Sequence, residues 1–298
     1  MSDLSIPDPA AAHYPQPQAL DIQHDTDPAE DHGPARRIPH LGHAVLFFSL
    51  ITTAVLSFAA FIASAAHIVN DQAAKEHPGL ILLAETLGYV TALLASAWLF
   101  PRIWQRPFLQ GLQWNFLALR RRWFWLLPCA IAVSFGAQFS EHFFPAPPDD
   151  TLLRLMHAPH GIWFLTAFGV IIAPLTEEIA FRGFLLPALA TAYDWLALER
   201  TPAGLQRWQN STAHSTSALI FAAVFSSIPF ALMHAGQLSH AWGALTVLYV
   251  VSLILSTVRI RTHSLSSSVF FHSMYNLTVF AVVFFQTGGY RHLERLTN

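Results

Sequence analysis

The sequence predicts an all-α protein, a polytopic transmembrane helical bundle of seven or eight spans. The chain is 53% hydrophobic and only 11% charged, whereas soluble domains carry about 25% charged residues. Its mean hydropathy is +0.41. Several long runs contain no formal charge, and each is near or above the roughly 20 residues that a membrane helix needs. A soluble protein of this length cannot bury so much apolar surface.

Residues 1–40 differ from the rest of the chain. They contain seven acidic residues and seven prolines and have no apolar run. Such a segment cannot bury enough surface to offset the entropy of ordering it, so we expect a disordered, acidic, proline-rich tail. It lacks the basic start and apolar stretch of a signal peptide.

The spans follow from the charge-free runs in order. Three are expected within residues 41–150, near 42–68, 79–103 and 123–140. The next run covers about 155–198 and is one span, or two if it breaks at Pro174. The run from Trp208 to Val258 is too long for one helix and predicts two spans, with a turn near Ala235–Gln237. The last span is expected near 264–287.

Charge and cysteine content limit the partners and the compartment. The net charge of −2 gives no basic field, so nucleic acid is not expected as a partner. The single cysteine, Cys129, excludes an internal disulfide and a cysteine-based zinc site. Arginine placement favours a cytoplasmic N-terminus in the seven-span arrangement. The predicted spans imply membrane lipids as partners. The excess of arginine over lysine is typical of GC-rich bacteria, so we expect the bacterial plasma membrane as the location.

Three polar clusters interrupt the predicted spans, where ionisable residues are costly and usually functional. The first cluster contains Glu177, Glu178 and Arg182. Glu178 and Arg182 are four residues apart, so the guanidinium can neutralise that carboxylate on one helix face. Glu177 points about 100° away and has no local cation, which suits a general base.

Histidines supply the other two clusters. His272 and Asn276 are also four residues apart, so they can donate two hydrogen bonds to a developing oxyanion. His234 lies at the end of another span and can hold a water molecule against Glu177. A count from the span ends at about 1.5 Å per residue predicts different depths in the membrane for Glu177, His234 and His272. A kink at a proline, or an eighth span, is needed to bring these side chains to one depth.

Each cluster also has a structural interpretation. In this interpretation, the three residues of the first cluster form an ion cluster that fixes helix packing. His234 is then an interfacial histidine that is hydrogen-bonded to the backbone. His272 and Asn276 act as interhelical hydrogen-bonding residues. Glu85 is a lone membrane acid, for which we expect a hydrogen bond to a neighbouring helix.

The ordered patterns E-E-x-x-x-R, F-x-x-x-H and H-x-x-x-N resemble the CPBP family, which includes type II CAAX prenyl endopeptidases and bacteriocin-processing (Abi) enzymes. The resemblance covers about residues 155–288, within a catalytic core expected at 151–290. It implies that Glu177 is the catalytic glutamate and that Glu178 and Arg182 support it. It also implies essential roles for His234, His272 and Asn276.

These observations predict an intramembrane endopeptidase that cleaves membrane-associated peptides with a glutamate-activated water. A zinc ion held by His234 and His272 is the alternative source of the nucleophile, and the metal-free version is favoured because two histidines make a poor zinc site. Two other classes remain: a non-catalytic scaffold or immunity protein that binds peptides, and a proton-coupled transporter. Peptides with a prenylated CAAX end and leader-type peptides are both candidate substrates.

Overall fold

The computed structural model describes residues 37–145, 147 and 150–296, and within these ranges the chain is helical and has no strand. The predicted all-α fold is confirmed, whereas the predicted disorder of residues 1–36 lies outside the described residues. Seven helices are long and apolar enough to cross a membrane. They are α1 Leu41–Ala65, α2 Pro78–Trp104, α3 Phe116–Ser140, α4 Gly161–Leu196, α5 Thr216–Met233, α6 Trp242–Thr262 and α7 Leu265–Gln286.

Short helical segments connect some of these spans. They are the α-helices Asp71–Glu76, Phe108–Gly111, Asp150–His157 and Pro202–Asn210 and the 3₁₀ turn Leu293–Leu296. The expected turn between α5 and α6 is confirmed at residues 234–241.

Helix α4 is the reason that the bundle has seven long spans rather than eight. It continues from Gly161 to Leu196 without a break at Pro174. Two π-helical stretches, Phe168–Ile172 and Ile179–Leu185, lie directly before the positions of Pro174 and Pro187. A proline ring clashes with the carbonyl four residues earlier in a regular helix. The wider π turn displaces that carbonyl, so both prolines are accommodated inside one helix.

The ends of the other helices follow local side-chain chemistry. Ser215 and Ser264 precede α5 and α7, and each side chain accepts a hydrogen bond from the backbone N–H three residues later, as an N-cap serine does. Helix α6 ends at His263, whose φ of 50° stops the right-handed turn. α7 therefore begins almost directly after α6 and runs beside it.

Helix α4 lies at the centre of the bundle. Every residue from Thr176 to Leu186 is buried except Leu185. Aromatic rings from α1 and α2 cover its second half, and the Phe47 and Phe184 centroids are 4.3 Å apart. The buried Ser134 on α3 donates a hydrogen bond to the Tyr275 carbonyl at 3.0 Å, which joins α3 to α7. The polar residues of α4 are thereby enclosed by the other spans.

Helices α1 and α2 approach closely because α2 has a glycine at the crossing. A Cβ atom placed on Gly88 would lie 2.6 Å from the Cα of Val55, which is closer than real Cβ atoms come. Small residues allow such backbone contact in membrane bundles. This contact holds the section of α2 that contains Glu85 against the rest of the bundle.

Candidate active site

The Glu178 carboxylate is fully buried, and both of its oxygens accept hydrogen bonds. Its Oε1 accepts a hydrogen bond from Arg182 Nη1 at 2.9 Å, and its Oε2 accepts one from Ser268 Oγ at 2.5 Å. His272 Nδ1 lies 3.0 Å from the same Oε1. The expected ion pair between Glu178 and Arg182 is present, and both side chains have no exposed surface.

Arg182 joins two other helices, α5 and α6, to α4. Its Nη2 donates to the Ser252 carbonyl at 2.8 Å and to the Ser252 hydroxyl at 2.6 Å. The guanidinium carbon lies 4.5 Å from the centroid of the Phe230 ring on α5. Because Glu178 contacts α7 at the same time, the ion pair holds α4, α5, α6 and α7 in one arrangement.

The Glu177 carboxylate has a different environment. It is only 8% exposed, and its Oε2 lies 3.8 Å from Nε2 of His272. Among the described residues, His272 is the only basic side chain within 4.0 Å of it. The adjacent glutamates therefore differ: Glu178 is paired with Arg182, as the spacing predicts, and Glu177 faces His272.

His272 lies between the two carboxylates. A carboxylate oxygen only accepts hydrogen bonds, so the 3.0 Å contact with Glu178 assigns a proton to Nδ1 of His272. Nε2 then faces Glu177. In the neutral ring this nitrogen is an acceptor for a water molecule, and in the imidazolium it is a donor.

His234 follows the last residue of α5 and is half-buried. Its Nδ1 lies 2.9 Å from the Phe230 carbonyl, which can only accept, so the proton is on Nδ1 and Nε2 is a free acceptor. The Phe230 ring contacts both histidines, with its centroid 5.3 Å from that of His234 and 5.9 Å from that of His272. Within seven spans the structure therefore places His272 beside Glu177, and it links His234 to them through the Phe230 ring.

Glu85 belongs to the same group of polar residues, which the sequence did not indicate. It interacts electrostatically with both Glu177 and His234. Its Oε1 accepts a hydrogen bond from the Tyr89 hydroxyl at 2.9 Å. The expected bond to a neighbouring helix is therefore wrong, because Tyr89 lies four residues further along α2. The spacing of four residues between Glu85 and Tyr89 is the sequence signal that could have indicated this hydrogen bond.

Asn276 contacts α4 rather than pointing freely into the site. Its Nδ2 donates to the Gly169 carbonyl at 2.6 Å, within the first π-helical stretch. The close approach depends on the glycine, since a Cβ there would lie 2.8 Å from the Phe280 ring. One amide hydrogen of Asn276 is thereby engaged in joining α7 to α4, and the second is left for another acceptor.

Metal binding by the expected histidines has limited support from the side chains present. No group of three or more His, Cys, Asp or Glu side chains in the described part of the chain is arranged to hold an ion. Catalytic zinc sites usually have three protein ligands. His234 and His272 offer two nitrogens, which is one ligand fewer than such a site needs.

The comparison with protein families agrees with the motif resemblance. Residues 159–278 match the family model described as "Type II CAAX prenyl endopeptidase Rce1-like". The matched stretch contains α4, α5, α6 and most of α7, and it includes every polar residue of the three motifs. The CPBP resemblance is confirmed over this stretch. No curated protein and no solved structure matches the chain.

Proposed function

We propose that this chain, an integral membrane protein of CAAX-type peptidase character in its α4–α7 segment, hydrolyses peptide bonds of membrane-associated peptides with Glu177 as the general base. One observation carries the proposal. Of two adjacent buried glutamates, Glu178 is bonded to a fixed arginine, whereas Glu177 faces a histidine and keeps its capacity to accept a proton. A purely structural ion cluster does not need the second carboxylate.

The side chains divide the steps of peptide hydrolysis among them. Glu177 takes a proton from a water molecule whose other hydrogen is held by Nε2 of His234, and the hydroxide attacks the scissile carbonyl. The oxyanion is stabilised by N–H donors from His272 and Asn276. Glu177 then returns the proton to the leaving amine.

Glu178 and Arg182 support this chemistry indirectly. Because Nδ1 of His272 is held by Glu178, only Nε2 is available to the oxyanion, and it donates only when the ring is an imidazolium. A carboxylate lies on each side of the ring, Glu178 at Nδ1 and Glu177 at Nε2. Arg182 prevents Glu178 from carrying an unbalanced charge. The pair thus positions the donor and does not touch the substrate.

An apolar cavity that includes Glu85 in its wall supports the proposed substrate class. An apolar cavity of about 250 Å³ lies between α1 and α2, and its wall includes Glu85. A membrane-anchored peptide with a lipid or strongly apolar portion, such as a prenylated CAAX end or a leader peptide, suits such a lining. We place the enzyme in the bacterial plasma membrane, with lipids and the peptide substrate as partners and without nucleic acid. The metal-free chemistry is preferred over Zn²⁺ bound by His234 and His272.

Cleavage of fluorogenic peptides by the purified protein in proteoliposomes tests the proposal. The peptides are offered with and without a prenyl group. Glu177→Gln keeps the shape of the side chain but cannot accept the proton, so the rate should fall at least about 10²-fold. Glu76→Gln makes the same change on an exposed residue and should leave the rate unchanged. Near wild-type cleavage by Glu177→Gln, or peptide binding without cleavage by the wild type, would contradict the proposal.

A further inference from the structure

A polar cavity lies apart from Glu177 and Glu178, and we name it the basic cavity. Its volume is about 430 Å³. Its walls come from the segment before α1, the connection between α2 and α3, the middle of α4, the loop before α5 and the end of α6. Of the residues that the structure describes, five basic side chains line it and no carboxylate does. They are Arg37, Arg106, His214, Arg259 and His263.

Arg259 is buried in this wall without an acidic partner. It is 6% exposed, and its Nη2 donates to the neutral Gln113 amide oxygen at 2.8 Å. Its Nε is buried and has no hydrogen-bond partner. Among the described residues, no carboxylate lies within 4.0 Å of the guanidinium. Glu178 interacts with it electrostatically at longer range, but Glu178 is already balanced by Arg182. A buried charge without compensation is costly.

Arg37 presents a second buried guanidinium in the lining of the basic cavity. Its Nε is also buried without a partner. Its Nη1 lies 3.5 Å from Asp194, and its guanidinium stacks 3.8 Å from the Trp208 ring. Burial lowers the pKa of the Arg37 guanidinium, and Asp194 opposes that shift. Asp194 also bonds His214 at 2.9 Å, so a single carboxylate outside the cavity serves both residues.

We propose that the basic cavity binds a phosphate group, carried by a phospholipid headgroup or by a small soluble phosphate. Guanidinium groups present several N–H donors in a planar fork that fits phosphate oxygens. The volume falls within the range of small-ligand sites. Among the described residues, Arg106 and Arg259 have no carboxylate within 4.0 Å, so a phosphate brings the negative charge that they lack, whereas Arg37 already has Asp194. Gln110 and Thr212 add neutral hydrogen-bonding groups to the wall.

Thermal unfolding of the purified protein in neutral detergent tests the site with two probes. The first is inorganic phosphate at an ionic strength matched with chloride, and the second is dihexanoyl phosphatidic acid, compared with dihexanoyl glycerol. A ligand that binds the folded state raises the unfolding temperature in a concentration-dependent way. A response to both probes indicates a soluble phosphate as a sufficient ligand, and a response to the lipid alone indicates a headgroup. Either response supports the proposal.

Three single variants identify the place of binding. Arg259→Gln and Arg106→Gln each remove one charge from the cavity and should weaken the apparent affinity about tenfold or more, because a charge-assisted hydrogen bond is lost. Arg261→Gln removes the same charge from an exposed residue outside the cavity and should not. Arg106 is exposed, so its variant remains informative if Arg259→Gln does not fold. The absence of a shift with both probes, or equal weakening by all three variants, would overturn the proposal.

Discussion

Removal of Arg182 tests whether the buried ion pair holds the bundle together. In Arg182→Ala, Glu178 stays at a site with no exposed surface and loses the permanently charged guanidinium that is bonded to it. Two hydrogen bonds to Ser252 disappear as well. Breaking one partner of a buried pair costs about 3–5 kcal/mol, and the lost bonds favour the upper part of that range. This is a large share of the roughly 5–15 kcal/mol that stabilises a typical protein.

An exposed pair of the same chemistry provides the control. Arg207 and Glu199 lie 3.5 Å apart with side chains about three quarters exposed. Such pairs contribute about 0–1 kcal/mol, so Arg207→Ala should change the free energy of unfolding by no more than that. The difference between the two arginine variants isolates the effect of burial.

The assay is equilibrium unfolding in mixed micelles of neutral and denaturing detergent, followed by tryptophan fluorescence. The double variant Glu178→Gln/Arg182→Met removes both charges at similar volume, so it should be more stable than Arg182→Ala. If Arg182→Ala is as stable as the wild type, the ion pair does not hold the helices. If the double variant is less stable than the single one, the unpaired carboxylate is not the cause of the loss.

The remaining predictions concern packing, the second oxyanion donor and metal. Gly88→Val inserts a branched side chain against the Val55 backbone and should destabilise the protein by about 1–3 kcal/mol, which the same unfolding assay measures; Gly79→Val, where a Cβ meets no other atom within 4 Å, should cost less. Asn276→Ala should reduce the cleavage rate about 10²–10³-fold if its second amide hydrogen reaches the oxyanion, whereas a loss of stability with an unchanged rate per folded molecule would restrict Asn276 to its bond with Gly169. Elemental analysis of active protein should find no stoichiometric zinc. If zinc and activity are lost together on chelation and restored together, the metal-free mechanism is wrong.

Much of the fold could be predicted because its signals are local. The spans follow from runs of apolar residues, and their bounds in the structure lie within a few residues of most expected ones. The pair of Glu178 and Arg182 follows from a spacing of four residues, which any regular helical turn places on one face. These features depend on the nearest turn of the chain and on little else.

Other features depend on contacts between distant segments or on irregular helix. Arithmetic with a regular rise could not place Glu177 beside His272, because α4 contains two π-helical stretches that no simple residue pattern marks. The bond from Asn276 to Gly169 depends on one of those stretches. The group around Glu85 requires α2 to pack beside α4 and α5, and the basic cavity requires five separate segments to meet. None of these can be deduced from residue spacing.

The π-helical stretches also give α4 places where its number of residues can change without turning its ends. The regular section Ala173–Glu178 lies between them. A π-helical turn holds about one residue more than an α-helical turn, because its hydrogen bonds join residues five apart rather than four. Deleting one residue from Ile179–Leu185 and restoring regular helix there would therefore leave the following section of α4 close to its present orientation. The same deletion in a regular section would turn everything that follows by about 100°.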